Sequence, residues 1–180
     1  MKEILDIFDE SGEKIGEMSR EEIHKVGAWH KSVHIYLINA KNQLLMQLRS
    51  KNKDIGPNVW DISVGGHVDL GEDSLTSAQR ELKEELGIEA EKGEFEFLFT
   101  QKEILKNGNY VSKEFVDVYL IEKDVTEKDV KLQLFEVQKF EFVDISTFIE
   151  KVREKDKKFS FHTDEYLKMI PILEEKFLKK

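Results

Sequence analysis

The chain has 180 residues, 39% hydrophobic and 36% charged, which suits one globular domain with its own core rather than a disordered chain. Its 37 acidic against 28 basic residues give a net charge of −9, which argues against polymeric nucleic acid as a partner, and the lack of cysteine excludes disulfides, thiolate metal sites and a cysteine nucleophile. No apolar run reaches membrane-spanning length and the charged start MKEILDIFDE is unlike a signal peptide, so a cytoplasmic monomer or homodimer without membrane contact is expected.

Residues 1–20 read as a small hairpin turning at Asp9–Gly12, and Ser19 with Glu22 makes a capping-box pattern for a short helix to Lys25. A second hairpin is expected from His34–Asn39 and Gln43–Leu48, with apolar arms suited to central strands. Residues 49–57 are polar and loop-like. Trp60–Val64 reads as a short strand delivering the chain to Gly65-Gly66. A helix follows, then a third hairpin, Phe95–Leu105 and Tyr110–Glu122, around the turn signal Lys106-Asn107-Gly108-Asn109. Residues 122–131 form a charged loop, and Lys139–Val143 reads as a strand. Two helices are expected after Asp144, the second over Thr163–Lys179 and bent or interrupted by Pro171. Nothing marks a domain boundary. The expectation is a single domain over 1–180, with 1–28 as an N-terminal extension and C-terminal helices over 144–180, built as a mixed sheet with helices on both faces.

The helix between the second and third hairpins has two unlike faces. At about 100° per residue, Leu75, Ala78, Leu82 and Leu86 form one stripe, while Glu81, Glu84 and Glu85 gather opposite, with Arg80 at their flank. Asp73 or Ser74 can cap its start, and Gly87 stands at its end. A triad of carboxylates on one helix is compatible with a solvated face, since like-charge pairs there cost only about 0.2–0.5 kcal/mol. The context points further. Gly65-Gly66 lets backbone approach a ligand, Glu72 feeds the helix, and hard oxygen ligands on one face suit Mg²⁺ or Mn²⁺.

The run Gly66-x5-Glu72-x7-Arg80-Glu81-Leu82-x-Glu84-Glu85-x-Gly87-Ile88 resembles the signature box of the Nudix hydrolases at every defined position over 66–88. The resemblance implies an α/β/α sandwich and a metal-dependent hydrolase of a small-molecule diphosphate. It implies that Glu81, Glu84, Glu85 and the Gly65 carbonyl hold metal, that Arg80 orients the carboxylates, and that Glu81 or Glu114 takes a proton from water. Glu136 is the alternative to Glu114 as the carboxylate contributed from outside the box. A non-catalytic diphosphate-binding module is another option, but such modules lose box glutamates and here none is lost.

A narrower resemblance lies around the box. Trp60-Asp61-Ile62-Ser63-Val64-Gly65-Gly66-His67 is similar to the W-x-x-S-V-C-G-H stretch of isopentenyl diphosphate isomerases. By that likeness His34, His67 and Glu114 match isomerase metal ligands, while His24 and His30 stand at the wrong spacing to supply a third histidine. The isomerase cysteine is Gly65 here, and the first Glu of its E-x-E pair is Ser112. Isomerisation needs two opposed acid/base groups, so the departure at Gly65 favours hydrolysis.

Overall fold

The computed structural model describes residues 3–179; Met1, Lys2 and Lys180, the ends of the expected 1–180 domain, lie outside them. Strand β3 (Trp29–Ile38) is its axis. From Val33 to Ile38 every residue is buried, and alternate side chains serve opposite faces. Val33, Ile35 and Leu37 pack with Ala78, Leu82 and Leu86 of helix α2 (Ser74–Leu86). Tyr36 and Ile38 face the other way, against Phe148 and Val152 of α3 (Ile145–Arg153) and Tyr166 and Met169 of α4 (Thr163–Leu173). The sheet therefore lies between α2 on one side and α3 with α4 on the other, the expected α/β/α arrangement.

Along its whole length β3 pairs in parallel with β8 (Tyr110–Glu122), from Trp29 opposite Lys113 to Ile38 opposite Glu122. Its other edge carries β6 (Val64–His67), antiparallel. The long β7 (Phe95–Asn107) extends the sheet beyond β8 as an antiparallel hairpin with one register shift between Phe97 and Phe99, closed at Gly108 with φ 58°. The N-terminal hairpin, β1 (Ile4–Phe8) and β2 (Lys14–Ser19), joins through Phe8 opposite Trp29. Helix α1 (Arg20–Val26) follows, with Ser19 as N-cap and Glu22 accepting from its hydroxyl at 2.8 Å.

Four expectations need correction. The second hairpin is not a paired ribbon: β3 and β4 (Gln43–Arg49) meet only at Ile38 and Leu44. β4 turns instead to β9 (Val137–Asp144) and β5 (Trp60–Asp61), because both strands carry apolar side chains on two faces and each needs its own neighbours. β3 also starts earlier, at Trp29, so His30 lies within the sheet. The single strand expected over Trp60–Val64 is split, β5 ending at Asp61 and β6 running from Val64 through Gly65 and Gly66, opposite His34 and Val33, to His67. The last helix is not interrupted at Pro171 but runs through it to Leu173, then widens into a π-turn at Glu174–Leu178.

The apolar stripe of α2 is the part of the site that holds the fold. Leu82 is fully buried, so Leu82→Ala is expected to cost about 2–5 kcal/mol. Equilibrium denaturation checks this, and an unchanged midpoint would put the stripe outside the core.

Candidate active site

Asp73, not Ser74, caps α2: its carboxylate accepts from the Thr76 amide at 2.7 Å, while the Ser74 hydroxyl bonds Tyr119. At the far end Gly87 takes the left-handed conformation, φ 68°. The last turns of this helix carry the three carboxylates, and these do not share one environment. Glu85 is 2% exposed; it accepts from Gln47 Nε2 at 3.0 Å and faces Lys53 Nζ at 3.8 Å. Burial pushes its carboxyl up to about 7, with Lys53 pulling the other way. Glu81 is largely buried against Gly66 and bound on Oε1 by Arg80 Nη1 at 2.8 Å. Burial, then the Glu85 charge, push it up to about 8 despite Arg80. Glu84 is half exposed and is reached by the same Arg80 nitrogen at 3.4 Å.

Arg80 ties this face to the strand beneath it. Its Nε donates to Glu72 Oε2 at 3.2 Å and its Nη2 to the His67 carbonyl at 3.1 Å. Glu72 Oε2 also accepts from Ser77 Oγ at 2.6 Å, which anchors the incoming loop to the helix.

The glycine pair divides unevenly. A Cβ on Gly66 would fall inside the Glu81 side chain. A Cβ on Gly65 would meet His34 at 3.4 Å and Ile62 at 3.9 Å, ordinary contacts. Of the two glycines, Gly66 is the position without room for a side chain. Gly66→Ala should displace Glu81 and remove any activity that depends on this carboxylate face, while costing about 1–3 kcal/mol. Gly65→Ala should retain most of both. Melting curves and initial rates on the two variants check this, and equal activities would contradict it.

The histidines regroup more than the sequence suggested. His24 of α1, His30 of β3, His67 of β6 and Glu114 of β8 bring one ligand atom each within 4.8 Å of one another. His34 is not among them; its Nδ1 pairs with Glu165 of α4 at 2.8 Å. His24 and His30, discounted for their spacing, join because Gly27 in the left-handed conformation ends α1 and turns the chain straight into β3. The Nδ1 atoms of the three histidines face acceptors: the Arg20 carbonyl at 2.7 Å, the Ala28 carbonyl at 3.3 Å and Glu3 Oε1 at 3.0 Å. Each Nδ1 is thus placed to donate, which leaves Nε2 as the ring atom open to a ligand. His30 Nε2 is buried with no partner among the described residues, and burial pushes that ring down to about 4. Glu114 accepts from Ser112 and lies 3.8 Å from His30 Nε2. Buried, it would titrate high, but His30 and His67 hold it well below the carboxylate range.

Glu114 stands with His67, as the isomerase likeness implied, rather than in contact with the helix carboxylates. Glu136 is the carboxylate next to Glu85, through the shared Lys53. Both groups open on one cavity of about 320 Å³. Their donor sets suit cations of two kinds: crowded carboxylates with raised titration points for a hard ion, and three imidazoles with a carboxylate for a softer one. The orphaned lone pair of His30 and the unpartnered, buried Gln47 Oε1 behind Glu85 agree with that fit.

Residues 28–163 match the family model described as NUDIX domain. The chain is 42% identical over 144 residues to Nudix hydrolase 3 of Arabidopsis thaliana, covering 78% of this chain but 18% of that protein. It is 36% identical to an uncharacterized Nudix hydrolase of Clostridium acetobutylicum, covering 83% and 75%. An isopentenyl-diphosphate Delta-isomerase of Serratia proteamaculans is 31% identical over 120 residues, 67% of this chain and 66% of that one. A crystal structure from Deinococcus radiodurans superposes with a TM-score of 0.71 at 22% identity, covering 92% and 98%. Among the described residues no helix is long and apolar enough to cross a membrane.

Proposed function

Because the chain belongs to the Nudix hydrolase family, we propose that it cleaves the diphosphate linkage of a small organic diphosphate with the help of Mg²⁺ or Mn²⁺. The observation that carries this reading is the carboxylate face of α2, turned into a cavity and organised by Arg80 rather than spent on solvent. Glu81, Glu84, Glu85 and the Gly65 carbonyl would hold the ion, with His67, Glu114, His24 and His30 as a nitrogen-rich set across the same cavity. A bound divalent ion neutralises diphosphate oxygens and acidifies water.

The chain's own residues do the rest. Arg80 fixes Glu81 and Glu84 in place through its charged hydrogen bonds. Glu81 Oε2 has no partner among the described residues and is the group suited to take a proton from the attacking water; Glu114, already engaged by Ser112, is the less free of the two. Water adds to one phosphorus, the bridging P–O bond breaks, and the products are X-phosphate with phosphate, or XMP with the remaining half.

Isomerisation is disfavoured because no cysteine stands anywhere in the chain to supply one arm of the proton transfer. Phosphate release from a panel of nucleoside, sugar-nucleotide, dinucleotide and isoprenoid diphosphates with Mg²⁺ or Mn²⁺ tests the proposal. Turnover abolished by chelation supports it; interconversion of isopentenyl and dimethylallyl diphosphates without phosphate release overturns it.

A further inference from the structure

The loop after β4 reaches the carboxylate face from outside the helix, and its two ends are fixed. At one end the Ser50 amide donates to the Glu136 carbonyl at 2.9 Å. At the other, Arg49 Nη2 and Nε donate to the carbonyls of Ile55 and Gly56 at 2.8 and 3.1 Å. Gly56, with φ 60°, is wedged against Phe161 so closely that a Cβ there would fall 2.5 Å from the ring. Between these anchors residues 51–54 carry no helix or strand, and all but Lys53 are exposed. Within the bow, among the described residues, one backbone bond closes a turn, from the Lys53 amide to the Ser50 carbonyl at 3.2 Å. So few contacts make this the part of the cavity wall that opens at least cost.

Consecutive residues of the bow reach opposite sides of the cavity, which Lys53, Asp54 and Ile55 all line. Lys53 Nζ pairs with Glu136 and stands 3.8 Å from Glu85 Oε1, its side chain only 15% exposed. The Asp54 carbonyl accepts from Asn107 Nδ2 at 2.8 Å, at the tip of the β7–β8 hairpin, and Tyr110 lies beside the Asp54 carboxylate. That hairpin lies off one edge of β3, whereas Glu136 leads into β9, which joins through β4 on the other. The bow is therefore a strap across the cavity, tied by an ion pair at one side and by the hairpin at the other. The ion pair is the informative tie. On the Glu85 side it is longer than a hydrogen bond, so charge alone holds the ammonium there. An ion bound to Glu85 would sit one coordination bond from an oxygen that already faces Nζ, and two cations so close repel.

We propose that Lys53 is a built-in counter-ion for Glu85 and Glu136, which keeps the strap at residues 51–54 shut over the cavity and gives way when a divalent ion loads the carboxylate face. The assignment rests on the metal-dependent reading and adds a regulation of that same site: loading of the ion and opening of the strap are one event. The coupling is reciprocal. Whatever loosens the strap favours the ion, and the ion loosens the strap by the same factor.

Calorimetric titration with Mg²⁺ alone tests this, because imidazoles are poor ligands for that ion and the histidine cluster stays out of the signal. Lys53→Met keeps an unbranched side chain but removes the charge, and should bind Mg²⁺ about 5- to 150-fold more tightly than wild type. Asn107→Ala removes the tie to the hairpin, away from the carboxylates, and should tighten binding about 2- to 10-fold, the worth of one hydrogen bond. Hydrogen exchange of the amides over 51–56 gives a second readout. In wild type it should accelerate when Mg²⁺ is added, and in Lys53→Met it should be fast with or without the ion. Unchanged or weaker Mg²⁺ binding by folded Lys53→Met overturns the proposal, and so does wild-type exchange that Mg²⁺ slows or leaves alone. Should Lys53→Met not fold, Asn107→Ala decides, an unchanged affinity refuting the strap. If neither wild type nor variant takes up Mg²⁺, the metal-dependent reading falls and the strap with it, whereas equal binding by the two overturns the strap alone.

Discussion

Glu85→Gln is expected to lower metal-dependent turnover on the order of 10³-fold, since several kcal/mol of charge stabilisation rest on the ion it helps to hold and each 1.36 kcal/mol is tenfold in rate. Stability should move the other way. Glu85 is buried and its carboxyl is raised from 4.5 to about 7. An acid raised on folding binds its proton more tightly folded than unfolded, so above pH 4.5 the ionised group costs stability. The neutral amide removes that cost. It can also donate to Gln47 Oε1, the buried oxygen without a partner in the wild type. The variant should therefore melt at or above the wild-type temperature at pH 7, with the advantage gone near pH 4.5. Wild-type turnover in Mg²⁺ would remove this carboxylate from the mechanism, and a lower melting point at pH 7 would refute the burial argument.

The second large effect lies at His162. It is 4% exposed and donates to Asp61 and Glu103 at once. Burial alone would lower its titration point, but the two carboxylates raise it well above 6.5. Asp61 is the mirror case: burial raises it, and His162 and Arg49 more than offset that, holding it below 3.8. His162→Ala strands two carboxylates in the interior and should cost about 3–5 kcal/mol. The histidine's contribution is complete below pH 6.5 and is lost as pH rises through its raised value. The aspartate's contribution is complete above pH 3.8 and is lost as pH falls through its lowered value. The melting difference between wild type and variant should thus be widest between about pH 4 and 6.5 and shrink in stronger acid. A difference independent of pH would mean that packing, not charge, is what His162 supplies.

What could be read in the sequence was whatever local periodicity and capping encode. The stripe Ala78, Leu82 and Leu86, the glycine at 87, the Asn107-Gly108 turn and the Ser19–Glu22 cap are all statements about neighbours within four residues. The carboxylate face was legible for the same reason, although its burial was not: Glu85 is enclosed by Gln47 and Lys53, which come from a strand and loop far away in sequence. The histidine cluster escaped because spacing was applied as a linear rule. Its members come from α1, β3 and β6, and only the parallel pairing of β3 with β8 brings His30 opposite Glu114. The one available signal was Gly27, which ends α1 and so places His24 in its last turn. His34 was matched to a metal histidine by likeness alone; the alternation along β3 turns it toward α4, where Glu165 waits 131 residues later. No local pattern carries such a contact.

Hydrolysis, in ¹⁸O-labelled water, of the diphosphate from the panel that is turned over best, followed by mass spectrometry with Mg²⁺ and again with chelator, tests the central claim most directly. One ¹⁸O atom per turnover is expected in a phosphate product in the presence of the ion and none with the chelator, with the signal lost in Glu85→Gln. Label-free products, or cleavage that persists under chelation and in the variant, would contradict the assignment of the α2 carboxylates to metal-dependent attack by water on phosphorus.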